Sequence, residues 1–329
     1  MTKQKTLSMS DTRKPGGISD KERIKRLKKK LARAESDNES MQRYVATARK
    51  ANQKKWIKKR KTKTLKDDWV RLLVPDLHGS SMDPEVVPVM LNDLDRIEVD
   101  EIVLGGDILE CGGFLAQHFT LGFVAQTEYT YENDIAATNQ FLDTLLEKCP
   151  KVQAVHYLEG NHEQRVEKWA VTQALRNGRD AQFLLDQIGP RKVLDLERRG
   201  VKYYSQAECY DGVSIPGTVR LGQCYFTHGI SACKHAAALH AERLGGNVVY
   251  FHKHKLDAWE THTVSAGQIG AWCPGCLCLK QRMWHHTRPS TWTSGYGLQI
   301  VSRSGLFQPL NIRIIDGQSM LAQFTRSVK

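Results

Sequence analysis

Three apolar runs, at 69–74, 101–104 and 152–158, each lead straight into a loop that carries Asp, His or Asn. WVRLLVPDLHG, EIVLGGD and VQAVHYLEGNHE read as buried strands, and helical patterns at 84–97 and 131–148 separate them. Strand, helix, strand, helix, strand predicts a parallel sheet covered by helices. Ligands of such sheets collect beyond the carboxyl ends of the strands, which is where the three loops fall. After Glu163 the chain is mostly helical to about residue 195, and a further helix is expected over 233–244. Strands are expected near 201–204, 213–226, 247–252, 260–268, 296–303 and 311–316. Because no helices separate the last of these, antiparallel strands should complete a second sheet. The predicted fold class is α/β, a layered β-sandwich flanked by helices.

Five short segments concentrate the chemistry: PDLHG at 75–79, GGDILE at 105–110, GNHE at 160–163, FTHG at 226–229 and FHKHK at 251–255. They hold Asp76, His78, Asp107, Asn161, His228, His252 and His254. Carboxylate, imidazole and amide donors together suit Mn²⁺, Fe or Zn²⁺, whereas a magnesium site would be dominated by oxygen ligands. These seven candidates are too many for one open catalytic ion. With one bridging carboxylate they supply two divalent ions about 3.5–4 Å apart, the separation that clamps attacking and leaving oxygens in phosphoryl displacement.

In order and flanks these segments resemble the calcineurin-like metallophosphoesterase superfamily, whose signature runs D-x-H, GD-x-x-[DE], GNH-[DE], a lone His and GH-x-H. The resemblance implies that Asp76, His78 and His254 hold one ion, that Asn161, His228 and His252 hold the other, and that Asp107 bridges them. A bridging hydroxide would then attack phosphorus in line. It further implies that His162 protonates the leaving oxygen or stabilises its charge, with Glu110 orienting it. Arg165 lies about one helical turn beyond His162, placed either for a phosphate contact or for a surface ion pair. Mn²⁺ is the first expectation for both ions, with Fe or Zn²⁺ as alternatives.

Two departures bear on this. Phe251 stands where the family usually has Gly, and GDILE lacks the GD-x-VDRG continuation of protein Ser/Thr phosphatases, which weighs against a phosphoprotein substrate. The segment CPGCLC at 273–278 offers half a zinc ribbon without a partner pair at normal spacing. Its thiols are therefore expected to pack in the body, with structural zinc as the lesser reading. WTSGYGLQIV at 292–301 is either a substrate-facing rim or a twisted strand with aromatic packing, and it is similar to a Trp, Gly, aromatic pattern in phage and prophage members. The other histidines, 118, 156, 235, 240, 262, 285 and 286, are expected to be structural or exposed, with His118 and His235 near enough in sequence to line the pocket.

The net charge of +12 is divided unevenly. Residues 1–66 hold 23 Lys and Arg against 6 Asp and Glu, a net of +17, while the remaining 263 residues carry a net of −5. The boundary expected from this is a basic, partly disordered and helical arm over 1–66 and a catalytic domain over 67–329. Ser19 and Glu22 have capping-box spacing, and Ile24, Leu27, Leu31, Ala34, Met41, Val45 and Ala48 form a narrow apolar stripe in which Asn38 fills a core slot. Weak self-association through residues 19–50 follows. The basic linker 50–66, with Trp56 at its middle, suits phosphate neutralisation and base stacking; the plainer reading is a solubilising tether.

No run is long and apolar enough to span a membrane, and MTKQKTLSMS has no apolar stretch to act as a leader, so a cytoplasmic protein with thiol cysteines is expected. The function these readings support first is a dinuclear metal-dependent phosphodiesterase, a nuclease on DNA or RNA. A phosphomonoesterase or a small-molecule or cyclic-nucleotide phosphodiesterase is the second. A non-catalytic nucleic-acid-binding or assembly protein on the same fold is the third, and a chain that keeps every candidate ligand supports it least.

Overall fold

The computed structural model describes residues 21, 22, 25, 28, 29, 68–112, 115, 129–174, 180–282, 289–319 and 321. Met1–Lys55 and Trp56–Lys329 form two compact units. In the first, Lys21, Glu22, Lys25, Lys28 and Lys29 are helical and exposed, within the stretch where Ser19 predicts a helix start. The apolar stripe and Trp56 lie outside the described residues.

In the second unit the elements follow in order β1 (Trp69–Val74), α1 (Val87–Asp93), β2 (Glu101–Leu104), α2 (Tyr131–Lys148), β3 (Ala154–Leu158), α3 (Gln164–Ala174), α4 (Asp180–Ile188), α5 (Pro190–Val193) and β4 (Val201–Tyr204). Then come β5 (Thr218–Leu221), β6 (Cys224–Thr227), α6 (Ala236–Leu244), β7 (Asn247–Tyr250), β8 (Leu256–Thr263), β9 (Gly267–Pro274), β10 (Gly295–Val301), β11 (Phe307–Ile315) and β12 (Gln318–Ser319). The architecture is mixed α/β with two sheets. One has seven strands in the order β12-β11-β10-β1-β2-β3-β4, and the other has five in the order β5-β6-β7-β9-β8. Strands β1 to β4 are mutually parallel, with Leu72 beside Ile102, Val103 beside His156 and Tyr157 beside Tyr203.

The alternation of side chains along these strands builds the layers. Leu72, Val74, Ile102 and Leu104 pack with Met90 of α1 and Phe141, Leu142 and Leu145 of α2. Their neighbours Leu73, Val103 and Leu158 face Phe226 and Val249 of the other sheet and Phe251 just beyond β7. Ala236, Ala237 and Ala241 of α6 cover that sheet's far side against Val248, Tyr250 and Ala271. The order is helices, sheet, sheet, helix.

The closing strands β10, β11 and β12 do not join the second sheet; β10 pairs antiparallel with β1, Leu72 opposite Leu298. The close fit depends on Gly297, where an added Cβ would stand 2.8 Å from Leu73 Cδ1. Tyr296 is buried in the helix-side core and donates its hydroxyl to Asp93, which supports the twisted-strand reading of this segment.

Candidate metal centre

Asp76 and His78 follow β1, Asp107 follows β2, Asn161 follows β3, His228 follows β6, and His252 and His254 follow β7. The loops at these strand ends converge. His254 Nε2 lies 2.9 Å from Asp76 Oδ1 and 3.2 Å from His78 Nε2. His228 Nε2 lies 3.1 Å from Asn161 Oδ1 and 3.4 Å from Asp107 Oδ2, and the His228 and His252 rings are 5.1 Å apart. Two groups have donor atoms within 4.8 Å of one another: Asp76, His78, Asp107 and His254 in one, and Asp107, His228 and His252 in the other. Asp107 belongs to both. Asp76, His78, Asp107 and His228 are at most 2 % exposed. Charges held this far from water need compensation by partners or cations.

The donors are presented by strained backbone. His78 (φ 56°), Asp107 (φ 49°), His252 (φ 69°) and His254 (φ 57°) all adopt the left-handed conformation that L-residues avoid. Such strain persists only where the surroundings enforce it. Glu163 is one enforcer: Oε2 accepts from the Asp107 and Gly160 amides, each at 2.9 Å, and Oε1 accepts from the Leu109 amide at 2.9 Å and the Tyr157 hydroxyl at 2.7 Å. Asp134, buried on α2, is another. It accepts from the amides of Ser80, Glu110 and Cys111 at 3.0, 3.2 and 2.7 Å, tying the first two loops to that helix. Gly160 leaves room for this packing, since a Cβ there would lie 2.1 Å from Asp107 Oδ1.

Burial pushes the Asp107 carboxyl up, but the facing His162 and His228 hold it well below the usual range. Asp76 is likewise lowered: burial opposes this, and His254 and His228 outweigh it. His228 is the converse case, since burial lowers it while Asp107, Asp76 and the Gly105 carbonyl raise it to about 10. A cation captured here therefore displaces a proton.

His162 Nδ1 donates to the Glu110 carbonyl at 2.7 Å, while Nε2 faces the Arg165 guanidinium at 2.8 Å and stands 3.8 Å from Asp107 Oδ2. Burial, first, pushes its pKa down to about 3. The Glu110 carboxylate was expected on His162, but the nearer partner is His78 Nδ1 at 3.0 Å, against 3.9 Å to His162 Nδ1. The longer Glu side chain carries its oxygens past His162, leaving the backbone carbonyl to orient that ring. Arg165 is buried and directed at His162 and the Glu110 carbonyl, so it makes no surface ion pair.

Four residues near the centre were not assigned from sequence. Glu163 and Asp134 are two, and the burial of an acid on a helix's apolar face is the only signal for the second. Arg282 donates to Glu110 Oε2 at 2.6 Å and so braces the carboxylate on His78. Trp292 meets the His254 ring edge-on at 4.0 Å. Cys273, Cys276 and Cys278 are fully buried, as expected for thiols packed in the body. Among the other histidines, His156 binds Glu101 and Tyr204, His240 accepts from the Ile230 amide, and His235 and His262 are exposed. His118, His285 and His286 lie outside the described residues.

No family model matches the chain, and no curated protein matches it. Among solved structures it is similar to Vacuolar Protein Sorting 29 from Cryptosporidium parvum, at 14% identity and TM-score 0.42, covering 77% of this chain and 95% of that one. A single mutant of Vps29 from Entamoeba histolytica gives 10% identity, TM-score 0.32 and coverages of 75% and 99%. Vps29 of Chaetomium thermophilum gives 10%, 0.29, 74% and 95%. No helix among the described residues is long and apolar enough to cross a membrane.

Proposed function

We propose that the chain is a two-metal phosphoesterase of the calcineurin-like type that hydrolyses phosphodiesters, with nucleic acid as substrate. The observation that carries this reading is the sharing of Asp107 between two donor groups. The donor set fits a pair of divalent ions. His78 and His254 turn ring nitrogens toward each other at 3.2 Å beside an Asp76 oxygen, and the carboxylates are held ionised. In this reading Asp76, His78 and His254 would hold one ion and Asn161, His228 and His252 the other, with Asp107 available to both. Bound there, Mn²⁺, Fe or Zn²⁺ would supply an activated water and a Lewis-acid clamp on phosphate oxygens.

The remaining roles fall to the chain itself. Arg165 is buried beside the centre with its donors on His162 Nε2 and the Glu110 carbonyl, and a substrate phosphate can take over one of them. His162 carries its ring proton on Nδ1, so Nε2, once released, first takes up a proton from water at the centre and then passes it to the leaving oxygen. Glu110, held by Arg282, keeps His78 in register. The arm of residues 1–66, with its net charge of +17 and Trp56, would supply salt-dependent, largely sequence-independent affinity for nucleic acid.

The test is an activity panel on Mn²⁺-reconstituted protein. It compares bis-p-nitrophenyl phosphate, the corresponding monoester, and single- and double-stranded DNA and RNA, with Asp107→Ala as control. Preference for the monoester would favour a phosphomonoesterase, and activity untouched by Asp107→Ala would sink the two-metal reading. Removing residues 1–66 should weaken nucleic-acid binding and spare the small diester; unchanged binding would end the arm's proposed role.

A further inference from the structure

We propose that Cys278 supplies a thiolate ligand to the ion held by His78 and His254, an inference that rests on the two-metal reading. The Cys278 sulfur belongs to a group with ring nitrogens of both histidines in which all donor atoms lie within 4.8 Å of one another, a spread that a single ion can bridge. Cys278 is fully buried, and so is His254 Nδ1, which has no hydrogen-bond partner.

The segment that carries the thiol is fastened to the Asp76 loop by backbone bonds: Leu277 N to the Asp76 carbonyl at 2.9 Å, Asp83 N to the Leu277 carbonyl at 2.9 Å, and Leu279 N to the Ser81 carbonyl at 3.0 Å. Leu277 enters the helix-side core at a bend, while the Cys278 sulfur next to it lies with the ring nitrogens of His78 and His254. The Cys276 thiol bonds the Thr293 carbonyl at 3.7 Å and also meets Cys278, and it is the Cys278 sulfur that lies with ring nitrogens of both histidines. As the metal–sulfur bond forms, the thiol proton passes to solvent. A thiolate among imidazoles and carboxylates shifts that position toward Zn²⁺, Fe or Co²⁺ and away from Mn²⁺, giving the two halves of the centre different metal preferences.

Cobalt reads this directly. Full-length protein titrated with Co²⁺ under anaerobic conditions should show visible d–d bands together with a near-ultraviolet thiolate-to-cobalt charge-transfer band. Cys278→Ser should lose the charge-transfer band, keep the d–d bands and weaken one cobalt site by roughly tenfold or more. Cys276→Ser should keep both features. Wild-type d–d bands without charge transfer, or charge transfer that survives Cys278→Ser, would overturn the ligand assignment while leaving the two-metal reading standing. Failure to bind cobalt at all would remove both.

Discussion

The same parallel strands carry a buried polar cluster at each end, and the two clusters are built on opposite principles. At the amino ends, between the sheets, every group meets its complement. Glu101 accepts from Arg71 Nε at 2.7 Å and pairs with His156 Nε2 at 2.9 Å, His156 Nδ1 meets the Tyr204 hydroxyl at 2.8 Å, and Arg71 reaches Gln299 at 2.6 Å while lying over the Phe226 ring. At the carboxyl ends, imidazoles face imidazoles, carboxylates crowd together, and four of the donors sit on left-handed backbone. One cluster is satisfied by the chain alone and contributes to stability. The other gathers its donors around a point in space, four of them on strained backbone, and the two-metal reading assigns that point to cations.

Substitutions should therefore separate the two ends. The largest effect is expected for Asp107→Ala, which should lower metal-dependent diesterase activity by at least about 10³-fold, roughly 4 kcal/mol of barrier, and cost the metal-free protein less stability than Glu101→Ala does. A large stability loss without an activity loss would reverse the comparison. Glu101→Ala should do the opposite. By stranding Arg71 and His156 it should cost about 3–5 kcal/mol in denaturant titrations, with metal stoichiometry and activity per folded molecule unchanged.

Gly160→Ala sharpens the boundary, because its Cβ would meet both the Asp107 carboxylate and the Asp107 amide, at 2.1 and 2.2 Å. About 1–3 kcal/mol of stability should be lost together with metal affinity, measured by calorimetry on one sample. The smallest effect is a graded one. Burial opposes ionisation of Glu101, but His156 and Arg71 hold its pKa at about 2 against an ordinary 4.5. A depressed carboxylate stabilises the fold above its unfolded pKa and loses that contribution as pH falls through its folded one. The stability gap between wild type and Glu101→Gln, about 1–2 kcal/mol at neutral pH, should accordingly hold above about pH 4.5 and close toward about pH 2. A gap that is constant over this range would mean that Glu101 is not the stabilising charge.

How much of this was legible in the sequence depended on distance along the chain. Helix α2 spans the expected 131–148, since Thr130 caps it by accepting from the Asn133 amide and Lys148 closes its last turn. The first three strands and the loops after them were equally plain, because periodicity and loop residues are local signals. The expected helical run after Glu163 is broken where Gly189 and Pro190 restart it. What local pattern could not convey were contacts made from afar: β10 against β1, Arg282 on Glu110, Trp292 on His254, and Cys278 beside His78. Glu110 shows the limit even within a motif. Its spacing announces a carboxylate near the centre, but side-chain length decides which histidine receives it.

The pairing of β1 with β10 also sets a timetable. At ribosomal elongation rates of about 5–20 residues per second, His254 is made on the order of ten seconds after Asp107. Strand β1 keeps one edge unpaired until Gly295–Val301 has been synthesised. A nascent chain thus exposes Asp76, His78 and Asp107 as an unfinished half-site beside an open strand edge. In the two-metal reading, metal capture is consequently one of the last events of biogenesis, and the period before β10 pairs is when the chain most depends on protection from aggregation.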